Sequence, residues 1–426
     1  MVLMAALLGV GSMVSVAQAK EPEHITYIVE PGDTLLQIAR DYMISADDWP
    51  QVQTLNEVGN PRKLAIGKAL RLPRALLRYN DVRLQVRYFA GQVFTDGSPV
   101  AQQEFLNPGS RVTTGANGFV TFESPEFGGR VSLPSNSAAR LVVARRYILN
   151  ETLFVDFEIE RGRGTIFSPP LDTDDQLLLT TPRAVTAVRG TEFRVAFDPE
   201  ADSSITEVTE GVVAVAALDK EISAEQGFGV RSTADGLGEP EALLPAPKLI
   251  NPTAIQLDET LKFALEPNAA SSARRVQIAR DVTFLDVIEE QVVEGDTATF
   301  ASLENRQYYV RARDISDSGI EGFFSDTAGF RRKRVGVAAS NGPSEFVDGL
   351  LFKWLPEGEE DSRFAFQLWS ANNRDALLID ETGLDIPAMV LTDIPAGTYQ
   401  WRVAAIVPDE EGLLKVWTPA QTLTIS

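Results

Sequence analysis

The chain has no cysteine and a single histidine among its 426 residues. The first absence excludes disulfides, thiolate catalysis and cysteine-based metal sites. The second leaves little room for imidazole chemistry, because His24 stands near the start of the sequence, where a mobile segment is expected. Basic residues are outnumbered as well, and the formal net charge is −21. Phosphate recognition needs clustered Lys and Arg, so nucleic acid is not an expected partner. The same imbalance disfavours docking on an anionic membrane surface. Beyond the first twenty residues, no run approaches the roughly 18 apolar residues of a spanning helix.

Hydrophobic residues make up 44% and charged residues 23%, the balance of folded globular material. The length suggests two to four domains. The opening "MVLMAALLGVGSMVSVAQAK" reads as a signal peptide over 1–19. An apolar run leads to Ala17-Gln18-Ala19, a cleavage pattern, and then to Lys20-Glu21. A short membrane anchor is the alternative reading. The absence of a following Cys excludes a lipoprotein anchor. The expected location is therefore periplasmic or secreted.

Four segments follow. In 25–75, "ITYIV" alternates, "EPGDT" turns, and "LLQIARDYM" places Leu35, Ile38 and Ala39 on one helical face. A second helix is expected at "ADDWPQVQTLN", capped by Asp47 or Asp48, with Trp49, Val52 and Leu55 on one side. A strand from Ala69 to Leu72 completes a β-α-α-β order. From 84 to 232, short alternating runs such as "RLQVRYFAGQVF", "GFVTFES", "LFVDFEIERG", "TEFRVAF" and "GVVAVAAL" are separated by turn residues, which indicates an all-β domain. The last two segments, 245–333 and 342–426, are an internal repeat. Under one constant shift Phe263 falls on Trp354, Leu303 on Ile394, Tyr308 on Tyr399 and Arg311 on Arg402. "EALLPAPKLINP" and "RRKRVGVAASNGPSE" read as linkers. The fold class expected is mainly β and multidomain.

Catalytic chemistry finds little support. The acidic clusters Asp172-Thr173-Asp174-Asp175 and Glu357-Gly358-Glu359-Glu360-Asp361 lack the spacing of a calcium loop and read as solvated turns. Paired carboxylates run glycoside hydrolysis, but no two of the many acids are set apart for it. A non-enzymatic protein is expected, with no cofactor and no metal.

Tyr27-x-Val29-x-x-Gly32-Asp33-Thr34-Leu35-x-x-Ile38-Ala39, then Trp49 and Leu55-Asn56, then Leu64-x-x-Gly67-x-x-Leu70-x-Leu72-Pro73, closely resembles the LysM (lysin motif) domain. The resemblance implies binding of N-acetylglucosamine-containing glycan, such as peptidoglycan, in a shallow groove between two loops. By position those loops hold Gly32, Asp33, Thr34 and Leu35, and Asn60, Pro61, Leu64, Ala65, Ile66 and Gly67. Gly32 lets the turn close against a sugar, and Asp33 or Thr34 can cap the helix. Leu35, Leu64 and Ile66 would offer apolar surface; Leu35 and Ile38 read equally as core. Ile25 to Arg78 carries six acids (Glu30, Asp33, Asp41, Asp47, Asp48, Glu57) and seven bases (Arg40, Arg62, Lys63, Lys68, Arg71, Arg74, Arg78), so this unit is close to neutral.

The second segment carries "FLNPGSRVTTGANGFVTFES", with Gly109 to Gly115 as a Gly-x-x-Φ-x-Thr-Gly turn, and "TPRAVTAVRGTEF" from Thr181 to Phe193. It is similar to the FecR domain over about 100–232. That resemblance implies a β-rich periplasmic domain, best known for relaying a signal from an outer-membrane transporter to a sigma factor. Such sensors carry a transmembrane helix and a cytoplasmic tail, and this sequence shows neither pattern. The expectation is therefore a periplasmic interaction or regulatory role, with an envelope protein as partner. Arg189 and Glu192 point to opposite faces of an extended strand unless Gly190 turns or bulges the chain. The repeats resemble fibronectin type III-like sandwiches through strand number and a Tyr-x-Φ-Arg-Φ strand. The leading expectation is a peptidoglycan-binding adaptor. The alternative is a structural or assembly protein of the envelope without glycan binding.

Overall fold

The computed structural model describes residues 23–172, 174–188, 190–358, 361–409 and 412–425. The expected signal segment and Arg189 lie outside them. The architecture is mainly β, and the described residues hold two short α-helices, both near the amino-terminal end. Two compact units are present, and the boundary between them cuts through the first repeat. One holds the chain to Lys248 together with Pro267–Glu294 and Arg311–Asp326; the other holds Leu249–Glu266, Gly295–Val310 and Thr327–Ser426.

In the first unit, β1 (His24–Ile28) pairs antiparallel with β2 (Ala69–Pro73), His24 opposite Pro73 and Ile28 opposite Ala69. His24 is thus a strand residue, where a mobile terminus was expected. Between them lie α1 (Leu35–Tyr42) and α2 (Trp49–Leu55). Thr34 caps α1, its Oγ1 accepting from the Gln37 amide at 3.1 Å. Leu35, Ile38 and Ala39 are buried, as their spacing predicts. The cap expected of Asp47 or Asp48 on α2 is not made. Instead a 3-10 turn, Ala46–Asp48, leads into the helix, with Ser45 accepting from the Asp47 amide. Of Trp49, Val52 and Leu55, only Val52 is fully buried.

The strands from Tyr79–Asp81 to Glu241–Ala242 close into one barrel. Its central element is the 15-residue strand Leu153–Phe167. The first half pairs parallel with Gln176–Thr180 and antiparallel with Ala138–Tyr147. Past Gly162 it pairs with Glu192–Asp198 instead. Gly162 has φ +76, and a Cβ there would lie 2.7 Å from the Asn136 carbonyl oxygen, so glycine is what lets the strand change partners. Gly190, with φ +71, sits between the strands Val185–Val188 and Glu192–Asp198, and a bulge follows at Glu192/Phe193.

The β-α-α-β unit shares its core with the barrel. Ile38, Val52, Leu70 and Leu77 pack in one apolar cluster with Tyr147, Phe154 and Leu178. The Arg74 guanidinium lies 5.2 Å from the Tyr147 ring centroid and 5.9 Å from that of Phe154. The first unit also contains the antiparallel strands Ala273–Ala279 and Val287–Val293.

In the second unit, the second repeat is a sandwich whose two sheets enclose Phe352, Trp354, Phe366 and Trp401. The repeat register holds in detail. Tyr308 and Tyr399 each donate a hydroxyl to the carbonyl four residues earlier, Glu304 at 3.1 Å and Pro395 at 2.8 Å. Arg311 donates to Gln277, and Arg402 to Gln367. Of the two expected linkers, "EALLPAPKLINP" is strand only at Glu241–Ala242 and Leu249–Ile250, whereas "RRKRVGVAASNGPSE" is largely strand. Val335–Pro343 pairs with Leu350–Gly358 along its length, because Val335 and Val337 alternate into the core.

Candidate functional site

The turn after β1 is built by its own side chains. Asp33 Oδ2 accepts from the Tyr27 hydroxyl at 2.8 Å and from the Glu30 amide at 2.6 Å. Burial and the bond to Asp33 push the Tyr27 hydroxyl well above its ordinary value of 10. Gly32 has φ +98, and Gly67, in the opposite loop, has φ +79. A Cβ at either would meet nothing within 4 Å, so both face open space. The two loops are tied together: the Leu35 amide donates to the Pro61 carbonyl at 2.9 Å, and the Gly67 amide to Val29 at 2.8 Å. Asn60 orders the second loop, its Oδ1 accepting from the Arg62 amide.

The structure therefore brings both expected loops side by side but redistributes their roles. Asp33 and Thr34 have their side chains engaged inside the fold. Leu35 is 1% exposed, so the apolar surface expected of it is absent. Ile66, by contrast, is 69% exposed, and Leu64 is half-buried. Among the described residues, the amides of Gly32, Thr34, Leu64, Ala65 and Ile66 make no hydrogen bond. A turn of this kind presents backbone donors beside one apolar side chain. That combination suits a sugar bearing acetamido and hydroxyl groups.

The hallmark residues of the barrel serve the fold. Thr114 is buried and accepts from the Ser137 amide at 2.9 Å while donating to the Pro134 carbonyl. Thr181 Oγ1 accepts from the Ala184 amide and from the Ser204 hydroxyl, closing the Thr-Pro turn. Asp175 Oδ1 accepts from the Leu153 amide at 2.7 Å, so this acid pins a strand end. Among the described residues no three His, Asp or Glu side chains gather as metal ligands, and no helix is long and apolar enough to cross a membrane.

A second constellation is assembled only by tertiary packing. Arg163, Arg194, Arg275 and Arg313 pair with Glu207, Glu290 and Glu321 in the first unit, and Arg311 joins them through Gln277. These residues come from distant segments with no shared motif. The only available signal was the charge on otherwise apolar alternating strands.

Residues 27–73 match the family model of the LysM domain, and residues 110–214 match that of the FecR protein. No curated protein matches the chain. Among solved structures, a provisionally assigned anti-sigma factor from Parabacteroides distasonis is 16% identical with a TM-score of 0.27. That match covers 31% of this chain and 59% of the other. Fibronectin(III)-like modules of CbhA from Clostridium thermocellum are 12% identical at 0.21, covering 41% of this chain and 90% of theirs. A two-domain fibronectin type III segment of chicken tenascin is 13% identical at 0.21, covering 42% and 98%. Such scores fall well short of a shared overall fold. The LysM match suggests glycan binding, and neither matched family is catalytic.

Proposed function

We propose that the protein is a non-enzymatic adaptor of the cell envelope, periplasmic or secreted, that holds N-acetylglucosamine-containing glycan such as peptidoglycan. The FecR-like barrel would present a surface to an envelope protein partner. The observation that carries the reading is the cluster of unengaged amides at Gly32, Thr34, Leu64, Ala65 and Ile66 beside the exposed Ile66 side chain. Backbone donors bind acetamido and hydroxyl oxygens, and Ile66 offers a methyl-bearing surface to the sugar's apolar face. One such shallow site buries little area, so its affinity alone is modest.

Calorimetric titration with N-acetylglucosamine oligomers tests the reading. Saturable heat that grows with oligomer length and vanishes in Ile66→Glu supports it. Absence of heat for every oligomer contradicts it. The shared core of the LysM unit and the barrel favours a second reading, in which the unit is a structural part of a larger β assembly. Under that reading Ile66→Glu changes nothing.

A further inference from the structure

The three carboxylates of the buried charge cluster are fully engaged. Glu207 accepts from the Glu321 amide at 2.5 Å and from Arg194 Nε at 2.7 Å. Glu290 accepts from Arg163, from Arg275 Nη1 at 2.8 Å and from Gln277 Nε2 at 2.6 Å. Glu321 accepts from Arg275 Nη2 at 2.7 Å and from Arg313. Five guanidiniums against three carboxylates leave two positive charges in excess, inside a chain whose net charge is −21.

The excess is localised. Arg311 has no carboxylate partner among the described residues. Its Nε donates to the neutral Gln277 Oε1 at 2.9 Å, and its guanidinium lies between the rings of Phe284 and Phe324, 4.0 and 3.7 Å from their centroids. Asp281 and Glu192 act on it only through space, and Asp281 accepts instead from the amides of Thr283, Leu285 and Asp286. Arg313 is 4% exposed, and its Nε has no hydrogen-bond partner. Burial and the neighbouring Arg194 push Arg311 down to about 9. Burial raises the Glu207 carboxyl above its ordinary value, although Arg194 opposes it.

Arg163, Arg194, Arg311 and Arg313 line one cavity of about 80 Å³, with Gln277 and Phe324 beside them. Glu207 and Glu321 also reach its wall. The space takes a few waters or one small tetrahedral anion. Buried charges are ordinarily paired, and planar guanidinium forks match oxyanion geometry. We propose that this cavity is a binding site for a small oxyanion, held by Arg311 and Arg313, two of the arginines that line it. The shared chemistry is that of a free phosphate or sulfate and of a carboxylate carried by a larger ligand.

Thermal unfolding of the full chain, titrated with phosphate, sulfate or acetate at constant ionic strength against chloride, tests the proposal. A ligand that binds only the folded state raises Tm saturably, here by about 3 °C or more. A rise with phosphate and sulfate alone assigns a tetrahedral anion; an equal rise with acetate assigns a carboxylate. Arg311→Gln should abolish the rise while folding at least as well in anion-free buffer, since it removes an uncompensated charge. No saturable rise with any anion, or a full rise retained in Arg311→Gln, overturns the proposal. Selenate soaked into crystals of the unaltered chain gives a reading free of any folding defect. An anomalous peak in the cavity within hydrogen-bond reach of the Arg311 or Arg313 guanidinium supports the site, and its absence there refutes it.

Discussion

The turn after β1 and the arginine cavity put opposite parts of the chain to use. At the turn, the side chains of Asp33 and Thr34 are consumed in shaping the loop, and what faces outward is backbone plus Ile66. In the cavity the backbone is absorbed in strand pairing, and what remains unsatisfied is guanidinium. A site made of backbone tolerates few changes in the residues that bend it, but each of its hydrogen bonds is weak and solvent-facing. A site made of buried charge depends on the balance of a whole network, so removing a carboxylate that pairs buried arginines is costly there.

The sharpest way to break this contrast is Glu321→Gln. It strips the shared partner from Arg275 and Arg313, both largely buried, and should cost about 3–5 kcal/mol, read from urea unfolding. A loss comparable to a surface substitution would mean that the cluster is solvated and its balance irrelevant.

Acid should act on the same network next. Burial would raise the carboxyls of Glu290 and Glu321, but the surrounding arginines outweigh it and hold both below their ordinary value of 4.5. The unfolded chain then binds protons that the folded chain refuses. The stabilisation is complete above about 4.5 and is lost progressively as pH falls below it. A Tm profile from pH 6 to 3 should drop in that window, and the drop should shrink in Glu290→Gln.

Smaller effects belong to the turn. Asp33→Ala removes the acceptor of both the Tyr27 hydroxyl and the Glu30 amide and should cost about 1–2 kcal/mol. Thr34→Ala removes the helix cap and should cost about 1 kcal/mol. Both should weaken glycan binding through loop shape, recoverable in part by Asp33→Asn, which keeps an acceptor.

The same contrast explains what the sequence discloses. The β-α-α-β unit was legible because its fold uses one contiguous pattern: Gly32 at a positive φ, Thr34 at the cap, Leu35 and Ile38 inward. Alternation marked the barrel strands, and the repeat marked Tyr308 with Tyr399 and Arg311 with Arg402. Which apolar loop residue faces solvent was not legible, since Leu35 and Ile66 differ in burial but not in character. The α2 cap was misplaced because Ser45 and a 3-10 turn take up the entry that Asp48 offered. The second linker-like segment became strand because the buried Val335 and Val337 outweigh flanking turn residues. The cavity was invisible because Arg163, Arg194, Arg311 and Arg313 meet only through tertiary packing, and each alone reads as a solvated charge.

The central claim is that the loops around Gly32 and Ile66 hold cell-wall glycan through their backbone. Co-sedimentation of the chain with purified peptidoglycan sacculi tests it most directly, with Ile66→Glu alongside. Ile66 is exposed, so this change should leave stability within about 0.5 kcal/mol. Retention of the unaltered chain in the pellet and release of Ile66→Glu is the predicted result. Equal behaviour of the two would contradict the claim and leave the turn as scaffold.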